Sequence, residues 1–502
     1  MKQNTSDFDM VIIGGGVVGC MVARELSRYA LKIAILEKNA DIGAETSAAN
    51  SAIVHAGYDP LPGSLKAELN VLGNAMWDEL SAQLDIPFVR KGDYVVAIGE
   101  EELPALRKLF EQGQQNGVPG LEMVSAEEMR RREPMINPAV SGAFWAKTGG
   151  MCDPFAATIA AAENAVVNGV KVFLNTQFES FLMEGSRISG VHTSQGDFTS
   201  RWVINAAGVY ADEVMHAAGV HPEFKITARR GEYFILDRAG CALDHILFPV
   251  PSAAGKGILV TATVHGNVIV GPNATLLDDK ENKAVSAAGM DEIWNGALKL
   301  VPGLQRSSII AQFAGMRAHG NAASPDPSMN YQHDFMIEIA QEVQGLINLG
   351  GIESPGLTAA PAIALRVVEM LKSAGESLTE KSDFNPIRKQ RPRFSHLSHA
   401  EREKLIQQNP QYGRVICRCE MVTEGEIVAE IHSPIPATTY DAIKRRTWLG
   451  TGRCLGGFDM PKVVEILARE LACSPFEITK KGAGSEYLFC HTKDGGCDEK
   501  PE

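Results

Sequence analysis

Short apolar runs alternate with amphipathic stretches along the first three quarters of the chain. Residues 8–13 and 32–36 are apolar and typical of strands, and the stretch between them has helical spacing. Residues 203–208 form another apolar run, which ends in small residues. The alternation continues to about residue 375 and predicts an α/β fold.

The pattern changes between roughly residues 225 and 320, where the apolar runs become shorter and favour strands. The strands predicted here are residues 231–236, 257–261 and 267–271. They indicate a mainly antiparallel sheet inserted into the α/β fold, at the place where a substrate would be covered. Residues 345–350 then return as a strand, and a glycine-rich turn leads into a helix that starts near Leu357.

Residues 376–413 are polar, contain three prolines, and predict a linker with a short helix. A basic cluster lies at residues 388–393. We interpret this cluster as a solvated connector, with a docking surface for a partner as the alternative.

Glycines follow the first apolar run at a spacing typical of a dinucleotide site. Gly14 allows a tight turn, Gly16 lets the backbone approach a pyrophosphate, and Gly19 lets the helix pack close to the sheet. The helix N-terminus can bind the anion, and Glu37, eighteen residues after Gly19, can accept hydrogen bonds from a ribose. Glycines alone can mark an ordinary tight turn. Because strand, helix, second strand and acid are all in place, the segment predicts a bound dinucleotide.

The loop that follows Glu37 narrows the cofactor to FAD. It is polar and punctuated by glycine, as expected of a loop that runs along the pyrophosphate towards an isoalloxazine ring. A second helix N-terminus near Leu357 could stabilise negative charge on a reduced flavin, although an ordinary strand-to-helix turn is the alternative. The residues predicted to contact the cofactor are Gly14, Gly16, Gly19, Glu37, Lys38, Thr46, Ser47, Asn50, Ser51, Ala207, Gly208, Gly351, Gly356, Leu357 and Thr358.

Six of the nine cysteines lie after residue 416. Cys417 and Cys419 are one residue apart, and Cys454 follows among glycines. Thiolates with a backbone close by are what an iron–sulfur cluster needs. The three cysteines in the earlier part of the chain, Cys20, Cys152 and Cys241, are scattered and predicted to be core or incidental.

The bulk composition excludes several classes of protein. A net charge of −13 argues against binding nucleic acid or an anionic membrane surface. We expect no signal peptide, because polar and acidic residues precede the first apolar run, and no transmembrane segment, because that run is broken by glycines. A cytoplasmic protein is therefore expected, with peripheral attachment to a membrane as the alternative.

The first 375 residues resemble the FAD-dependent D-amino-acid oxidase (DAO) superfamily. Within it they look most like glycerol-3-phosphate dehydrogenases and oxidases related to L-2-hydroxyglutarate oxidase. The motifs that carry the resemblance are Gly14-x-Gly16-x-x-Gly19 and residues 46–51, 55–57, 229–233, 315–317 and 351–360. The C-terminal cysteines resemble the [2Fe–2S] domain of bacterioferritin-associated ferredoxin (BFD).

The resemblance implies a Rossmann-like FAD-binding domain with an inserted, mainly antiparallel substrate sheet, plus a small helical cluster domain. The implied divisions are an oxidoreductase domain at 1–375, with its substrate part at roughly 85–150 and 220–330, a linker at 376–413, a cluster domain at 414–480 and a polar tail at 481–502.

The same resemblance implies roles for three residues. His55 would take the hydroxyl proton of a substrate while its C–H hydrogen leaves as hydride to flavin N5; a His that only hydrogen-bonds the flavin or the chain is the alternative. Lys256 and Arg317 match positions that hold the anionic group of the substrate, although either could be a surface charge. His319 is a weaker candidate for this role.

The implied metal ligands are Cys417, Cys419 and Cys454, with Asp459 near the position where the family has a fourth cysteine. Three interpretations stay open: Asp459 is an oxygen ligand, another cysteine (Cys473, Cys490 or Cys497) takes its place, or the cluster has been lost. Zinc at the three cysteines and Asp459 is a lesser alternative.

The sequence thus favours an FAD-dependent dehydrogenase of a small anionic secondary alcohol, first sn-glycerol 3-phosphate, which would give dihydroxyacetone phosphate. L-2-hydroxyglutarate or another 2-hydroxy or amino acid is the alternative substrate. A rival of another class is an electron-transfer subunit without its own substrate. The expected electron acceptor is a protein or a quinone.

Overall fold

The structure is a computed structural model that describes residues 6–240, 243–251, 257–320, 334–490 and 493. The helices are α1 (Val17–Leu26), α2 (Leu65–Leu84), α3 (Leu103–Gln115), α4 (Ala126–Arg132), α5 (Pro154–Val167), α6 (Ala211–Ala217), α7 (Ala287–Leu300), α8 (Gly356–Ser373), α9 (His399–Gln408), α10 (Glu424–Ile431), α11 (Tyr440–Thr447) and α12 (Met460–Leu471). In the part of the chain that the structure describes, no helix has the length and apolar character needed to cross a bilayer.

The strands are β1 (Ser6–Asp7), β2 (Met10–Ile13), β3 (Ile33–Leu36), β4 (Ile53–Val54), β5 (Phe88–Arg90), β6 (Asp93–Ile98), β7 (Leu121–Ser125), β8 (Val140–Ala146), β9 (Gly150–Cys152), β10 (Lys171–Phe173), β11 (Phe178–Glu184), β12 (Arg187–Thr193), β13 (Gly196–Thr199), β14 (Trp202–Asn205), β15 (Ile226–Leu236), β16 (Ile246–Pro249), β17 (Leu259–Ala262), β18 (Val268–Gly271), β19 (Thr275–Leu277), β20 (Ile309–Gly320), β21 (Met336–Ile339), β22 (Leu346–Gly350), β23 (Val415–Cys417) and β24 (Val422–Thr423).

The chain divides into two units. Unit 1 comprises Met1–Leu36, Gly43–Lys171 and Phe178–Arg388. Unit 2 comprises Glu37–Ile42, Val172–Gln177 and Lys389–Glu502. The last division lies inside the predicted linker, but two short segments from the first half of the chain belong to unit 2.

A parallel sheet runs through unit 1. Its unit 1 strands lie in the order β3-β2-β14-β22-β21, and only β21 runs antiparallel to its neighbour. Helix α1 packs against β2 and β3, while α6 packs against β14 and β22. The four parallel strands are therefore buried along their whole length, which explains why the sequence shows unbroken apolar runs there.

The second large sheet of unit 1 is the predicted insertion. Strands β15 to β19 and β6 to β8 form one path, and β20 pairs with β15 over most of its length. All the pairs are antiparallel except β16 with β6. The prediction of an α/β fold with an inserted, mainly antiparallel sheet is confirmed.

Unit 2 has its own apolar core beneath α10, α11 and α12, which includes Ile427, Ile443 and Leu467. Asp41, within the segment Glu37–Ile42, is buried and paired with Arg445 and Arg446. Burial alone would raise the pKa of Asp41, but the two guanidinium groups hold it below its usual range.

The predicted linker contains its predicted helix, α9, but its basic cluster is not a solvated connector. In unit 1 the side chain of Arg388 lies 2.8 Å from the buried carboxylate of Glu163. In unit 2 Arg391 pairs with Glu430 at 3.0 Å, and Arg393 donates to a backbone carbonyl of α11. This expectation was wrong because the acidic partners lie far from the arginines in sequence.

The turn between β2 and α1 shows why the glycines are needed. Gly14 has a φ of +108°, and a Cβ there would lie 2.4 Å from the backbone oxygen of Ala206 on the loop after β14. A Cβ on Gly19 would lie 2.1 Å from the backbone oxygen of Gly14. Gly19 therefore allows α1 to begin directly against the turn.

We expect Gly19→Ala to displace α1 from Gly14 and lower the free energy of unfolding by about 1–3 kcal/mol, as overpacking usually does. FAD retained after purification should fall as well, and both effects are measured by urea unfolding and flavin absorbance. Gly303→Ala is the control, because among the described residues a methyl group there meets only Met135, at 3.7 Å. Equal midpoints for the two variants would refute the packing role of Gly19.

Candidate active site and metal centre

The N-terminus of α1 is open to an anion. Its N-cap, Gly16, offers no side chain, and the first turn contains no acidic residue. The amide of Val17 donates to Ser47 Oγ, and a Cβ on Gly208 would meet no atom of the described residues within 4 Å. The start of a helix attracts anions, and the open space beside a glycine fits the diphosphate of the predicted dinucleotide.

Hydrogen bonds stabilise the polar loop after β3. They are made by side chains that are predicted to contact the cofactor. Thr46 Oγ1 donates to a backbone carbonyl of β20 at 2.6 Å. Asn50 Nδ2 donates to the backbone oxygens of Thr46 and Ser47. Ser51 shares a hydrogen bond with the buried hydroxyl of Tyr233. Contacts between this loop and FAD remain a prediction, and these bonds indicate that its backbone is fixed beforehand.

Glu37 directly follows β3, as predicted, and is buried. Its Oε1 accepts hydrogen bonds from the backbone amide of Asn39 at 2.9 Å and from its side-chain amide at 2.8 Å. The carboxylate is thus oriented by its own loop, while its contact with a ribose and that of Lys38 with the cofactor stay predictions. Ala207 and Gly208 follow β14, and Gly351 follows β22, where the sequence placed them.

The backbone of His55 is held on both sides. Its amide donates to Thr358 Oγ1, in the first turn of α8, at 2.9 Å. Its carbonyl accepts from Asn70 and Asn74, both on α2, at 2.8 and 2.9 Å. Three hydrogen bonds therefore fix the backbone position from which the imidazole projects, and Thr358 accepts one of them.

The imidazole of His55 faces Ser354 and Phe248. Its Nε2 lies 3.4 Å from Ser354 Oγ, and its ring centroid lies 5.9 Å from that of Phe248. Ser354 precedes α8 in the turn predicted to contact the flavin. A hydroxyl beside the imidazole can orient it for proton transfer, and no sequence pattern singles out this serine.

A cluster of charged side chains surrounds Glu353, the neighbour of Ser354. Its carboxylate lies 3.1 Å from Lys66 Nζ and 3.2 Å from Arg229 Nη1. His319 Nδ1 lies 3.4 Å from the same carboxylate. Burial alone would raise the pKa of Glu353, but these neighbours hold it well below its usual range. More side chains that can be cationic than acidic ones meet here, which suits an anionic ligand.

Arg317 joins this cluster from β20. It stands directly opposite Arg229 on β15, and its Nη2 donates to the backbone oxygen of Asn273 at 2.8 Å. The structure therefore brings Arg317 and His319 together with two cations to which the sequence assigned no role, Lys66 and Arg229. Lys256, the other predicted anion-binding residue, lies outside the described residues.

Asp93 is an uncompensated buried acid next to His55. Its Oδ2 accepts from the backbone amide of Ala56 at 3.4 Å, and its Oδ1 has no hydrogen-bond partner within the described chain. Burial raises the pKa of Asp93 to about 8, although Ala56 and Arg90 act in the opposite direction. The nearby hydroxyl of Tyr58 is buried too, and Asp93 contributes to its raised pKa. Near neutral pH, Asp93 is therefore largely protonated.

The four predicted metal ligands all belong to unit 2. Cys417 ends β23, Cys419 and Cys454 lie in loops, and Asp459 is the N-cap of α12. Cys419 Sγ and Cys454 Sγ are 3.6 Å apart. The pKa of Cys417 is raised to about 11, chiefly by burial and further by the Asp459 carboxyl beside it. The ligands thus form two pairs, Cys419 with Cys454 and Cys417 with Asp459.

Comparison with known proteins gives the family. Residues 9–370 match the model of the DAO family, described as FAD dependent oxidoreductase. The chain belongs to this family. It is therefore an FAD-dependent oxidoreductase, and the predicted FAD cofactor is confirmed.

Relatives and solved structures agree with the resemblance found in the sequence. The chain is 45% identical over 489 residues to a glycerol 3-phosphate dehydrogenase of Caloramator mitchellensis, covering 97% of this chain and 99% of the relative. It is 35% identical to a glycerol 3-phosphate oxidase of Mycoplasma genitalium, covering 75% of this chain and 97% of that one. A structure of reduced L-alpha-glycerophosphate oxidase from Mycoplasma pneumoniae with FAD bound is 32% identical, with a TM-score of 0.71 over 77% of this chain and all of that one.

The C-terminal region has a match of its own. Residues 415–469 match the model described as a BFD-like [2Fe–2S] binding domain. The predicted resemblance is confirmed, and a [2Fe–2S] cluster is indicated as a second cofactor.

We expect Asp93→Asn to stabilise the protein increasingly as the pH rises. Between the ordinary carboxyl pKa of ~3.9 and about 8, the folded state keeps a proton that the unfolded chain releases, so the wild type loses stability with increasing pH. The advantage of the variant should grow by at most about 1.4 kcal/mol per pH unit. Urea unfolding at pH 5, 6.5 and 8 measures it, with the exposed Asp291→Asn as control. A constant difference across this range would contradict the assignment.

Proposed function

We propose that the protein oxidises sn-glycerol 3-phosphate to dihydroxyacetone phosphate. The observation that carries the proposal is the cationic cluster of Lys66 and Arg229 on Glu353, with Arg317 opposite Arg229. Ser354, the chain neighbour of Glu353, lies 3.4 Å from the imidazole of His55. An alcohol that places an anionic group on this cluster would bring its hydroxyl group to the imidazole. Two relatives that are named as acting on glycerol 3-phosphate, one matched over 97% of this chain and the other over 75%, support the same substrate.

In this proposal His55 acts as the base. Its anchored backbone keeps the imidazole at the reacting carbon, where Nε2 takes the proton of the substrate hydroxyl group. Bound FAD supplies the acceptor for the hydride that leaves the same carbon. The proton and the hydride together account for both hydrogens lost when the alcohol becomes a ketone.

Arg317 and Lys256 are proposed to hold the phosphate group. A guanidinium fits two phosphate oxygens, and Arg317 is oriented for this by its bond to the Asn273 carbonyl. Glu353 positions Arg229 and Lys66 and keeps the cluster from being purely cationic. The residues proposed to contact FAD are those that the sequence identified around α1 and α8.

The alternatives differ in how they use the cluster. L-2-hydroxyglutarate has two carboxylates, which the same cations could also bind. An electron-transfer subunit would need neither a base nor an anion site, so His55 and the cluster argue against it. For the electron acceptor we propose a protein or a quinone, as the [2Fe–2S] domain match supports.

Anaerobic mixing with substrate tests the proposal directly. Glycerol 3-phosphate should bleach the flavin absorbance at least tenfold faster than L-2-hydroxyglutarate or unphosphorylated glycerol at equal concentration. Stopped-flow absorbance measures the three rates. Faster bleaching by L-2-hydroxyglutarate would show that this acid, and not glycerol 3-phosphate, is the substrate. No bleaching by any of the three compounds would support the alternative of an electron-transfer subunit.

His55→Gln and Arg317→Met separate the two proposed roles. We expect His55→Gln to lower the bleaching rate at saturating substrate by roughly 10²–10⁴-fold, since a general base is lost. Arg317→Met should mainly weaken substrate binding, by roughly 10–150-fold for one charge-assisted contact of ~1.5–3 kcal/mol. The half-buried His192 and the exposed Arg306 provide the matched controls His192→Gln and Arg306→Met. A binding defect for His55→Gln with an unchanged rate would contradict its role as base.

A further inference from the structure

The two pairs of ligands in unit 2 indicate a group with two metal atoms. Two sulfurs on one tetrahedral metal, with bonds of ~2.3 Å, lie about 3.8 Å apart. The separation of 3.6 Å between Cys419 Sγ and Cys454 Sγ is close to that value. Within the described ranges, no three His, Cys, Asp or Glu side chains are close enough to hold one ion. A [2Fe–2S] cluster, in which each iron takes two protein ligands, fits this arrangement better than a single zinc ion.

Asp459 has a carboxylate oxygen that is available to bind a metal next to Cys417. The residue is only 1% exposed, and its Oδ1 accepts a hydrogen bond from Tyr440 at 2.6 Å. Its Oδ2 is buried without any hydrogen-bond partner in the described part of the chain. A buried carboxylate oxygen is costly unless something satisfies it, and the thiol of Cys417 lies next to the carboxyl group of Asp459. An iron atom between Oδ2 and that sulfur would satisfy it.

Tyr440 is built to hold this carboxylate. It is the first residue of α11 and lies in the core of unit 2. A Cβ on Gly450 or on Gly456 would lie 2.3 Å from its hydroxyl oxygen, so the surrounding loop leaves room for the hydroxyl only because these residues are glycines. Since the hydroxyl occupies Oδ1, the other carboxylate oxygen is left for a metal.

The other cysteines fit the fourth position less well. Cys490 is already in a disulfide. Cys473 follows the end of α12 and has Glu477 as its acidic neighbour, whereas Asp459 stands at the opposite end of that helix. Cys497 lies outside the described residues.

We propose that Asp459 is the fourth ligand of a [2Fe–2S] cluster, binding one iron through Oδ2 beside Cys417, and that Tyr440 is the positioning residue that holds Asp459 through Oδ1. Cys419 and Cys454 bind the other iron. The cluster therefore has three thiolates and one carboxylate. This assignment does not depend on the identity of the substrate.

The test reconstitutes the full-length protein anaerobically with iron and sulfide. The wild type should bind about two iron and two sulfide per chain, as the cluster requires. Asp459→Ala should lose at least half of the iron, with FAD content and melting temperature reporting that the fold persists. Asp459→Cys should keep two irons but absorb more strongly per iron in the visible range, because a fourth thiolate adds sulfur-to-iron charge transfer.

Tyr440→Phe tests the positioning role. It should retain iron and sulfide but change the electron paramagnetic resonance spectrum of the reduced protein, because Asp459 is no longer held. Tyr487→Phe, on a ring whose centroid lies 5.9 Å from that of Tyr440, is the matched control and should leave the spectrum unchanged. Identical spectra for the wild type and Tyr440→Phe would overturn this part of the proposal.

Three results would overturn the assignment of Asp459. The first is a full cluster with an unchanged spectrum in Asp459→Ala. The second is a wild type that binds no cluster while Asp459→Cys binds one. The third is one zinc per chain in place of iron. Loss of the cluster in Cys473→Ser with retention in Asp459→Ala would assign the fourth position to Cys473. None of these outcomes bears on bleaching of the flavin by substrate, so failure here is distinct from failure of the proposed function.

Discussion

The close approach of α2 to α8 is the constraint on which the candidate active site depends. A Cβ on Gly73 of α2 would lie 2.3 Å from the backbone oxygen of Thr358 in the first turn of α8. Only because the two helices meet this closely can one side chain of α8 and two of α2 hold the same residue, His55, from opposite sides. The position of the proposed base is thus a product of helix packing.

The same contact between α2 and α8 explains how charged side chains come together at the site. Glu353 and Ser354 lie in the turn that leads into α8, and Lys66 lies in the first turn of α2. The inserted sheet contributes Arg229 and Arg317 from two paired strands. A buried ion pair contributes little to stability in general, because desolvation offsets the attraction. We infer that this cluster is retained for what it binds.

Sequence patterns identified those parts of the protein whose cause is local. The glycines of the first turn and the unbroken apolar strands each follow from neighbours in the chain, and each is found where it was expected. Lys66 and Glu353 were not foreseen, because they lie 287 residues apart and no spacing rule connects them. Arg388 was misjudged for the same reason, since its partner Glu163 is 225 residues away.

Asp41 shows that the second unit cannot be separated from the rest by a single cut. Its two arginine partners lie more than 400 residues further along the chain, yet the short segment that carries it belongs to the same unit. A protein shortened at residue 388 would keep this aspartate and lose both counter-charges. The presence of the C-terminal region is therefore visible in the first 50 residues, as a buried aspartate whose counter-charges lie near the other end of the chain. A chain that gained or lost such a region would also need a change at this aspartate.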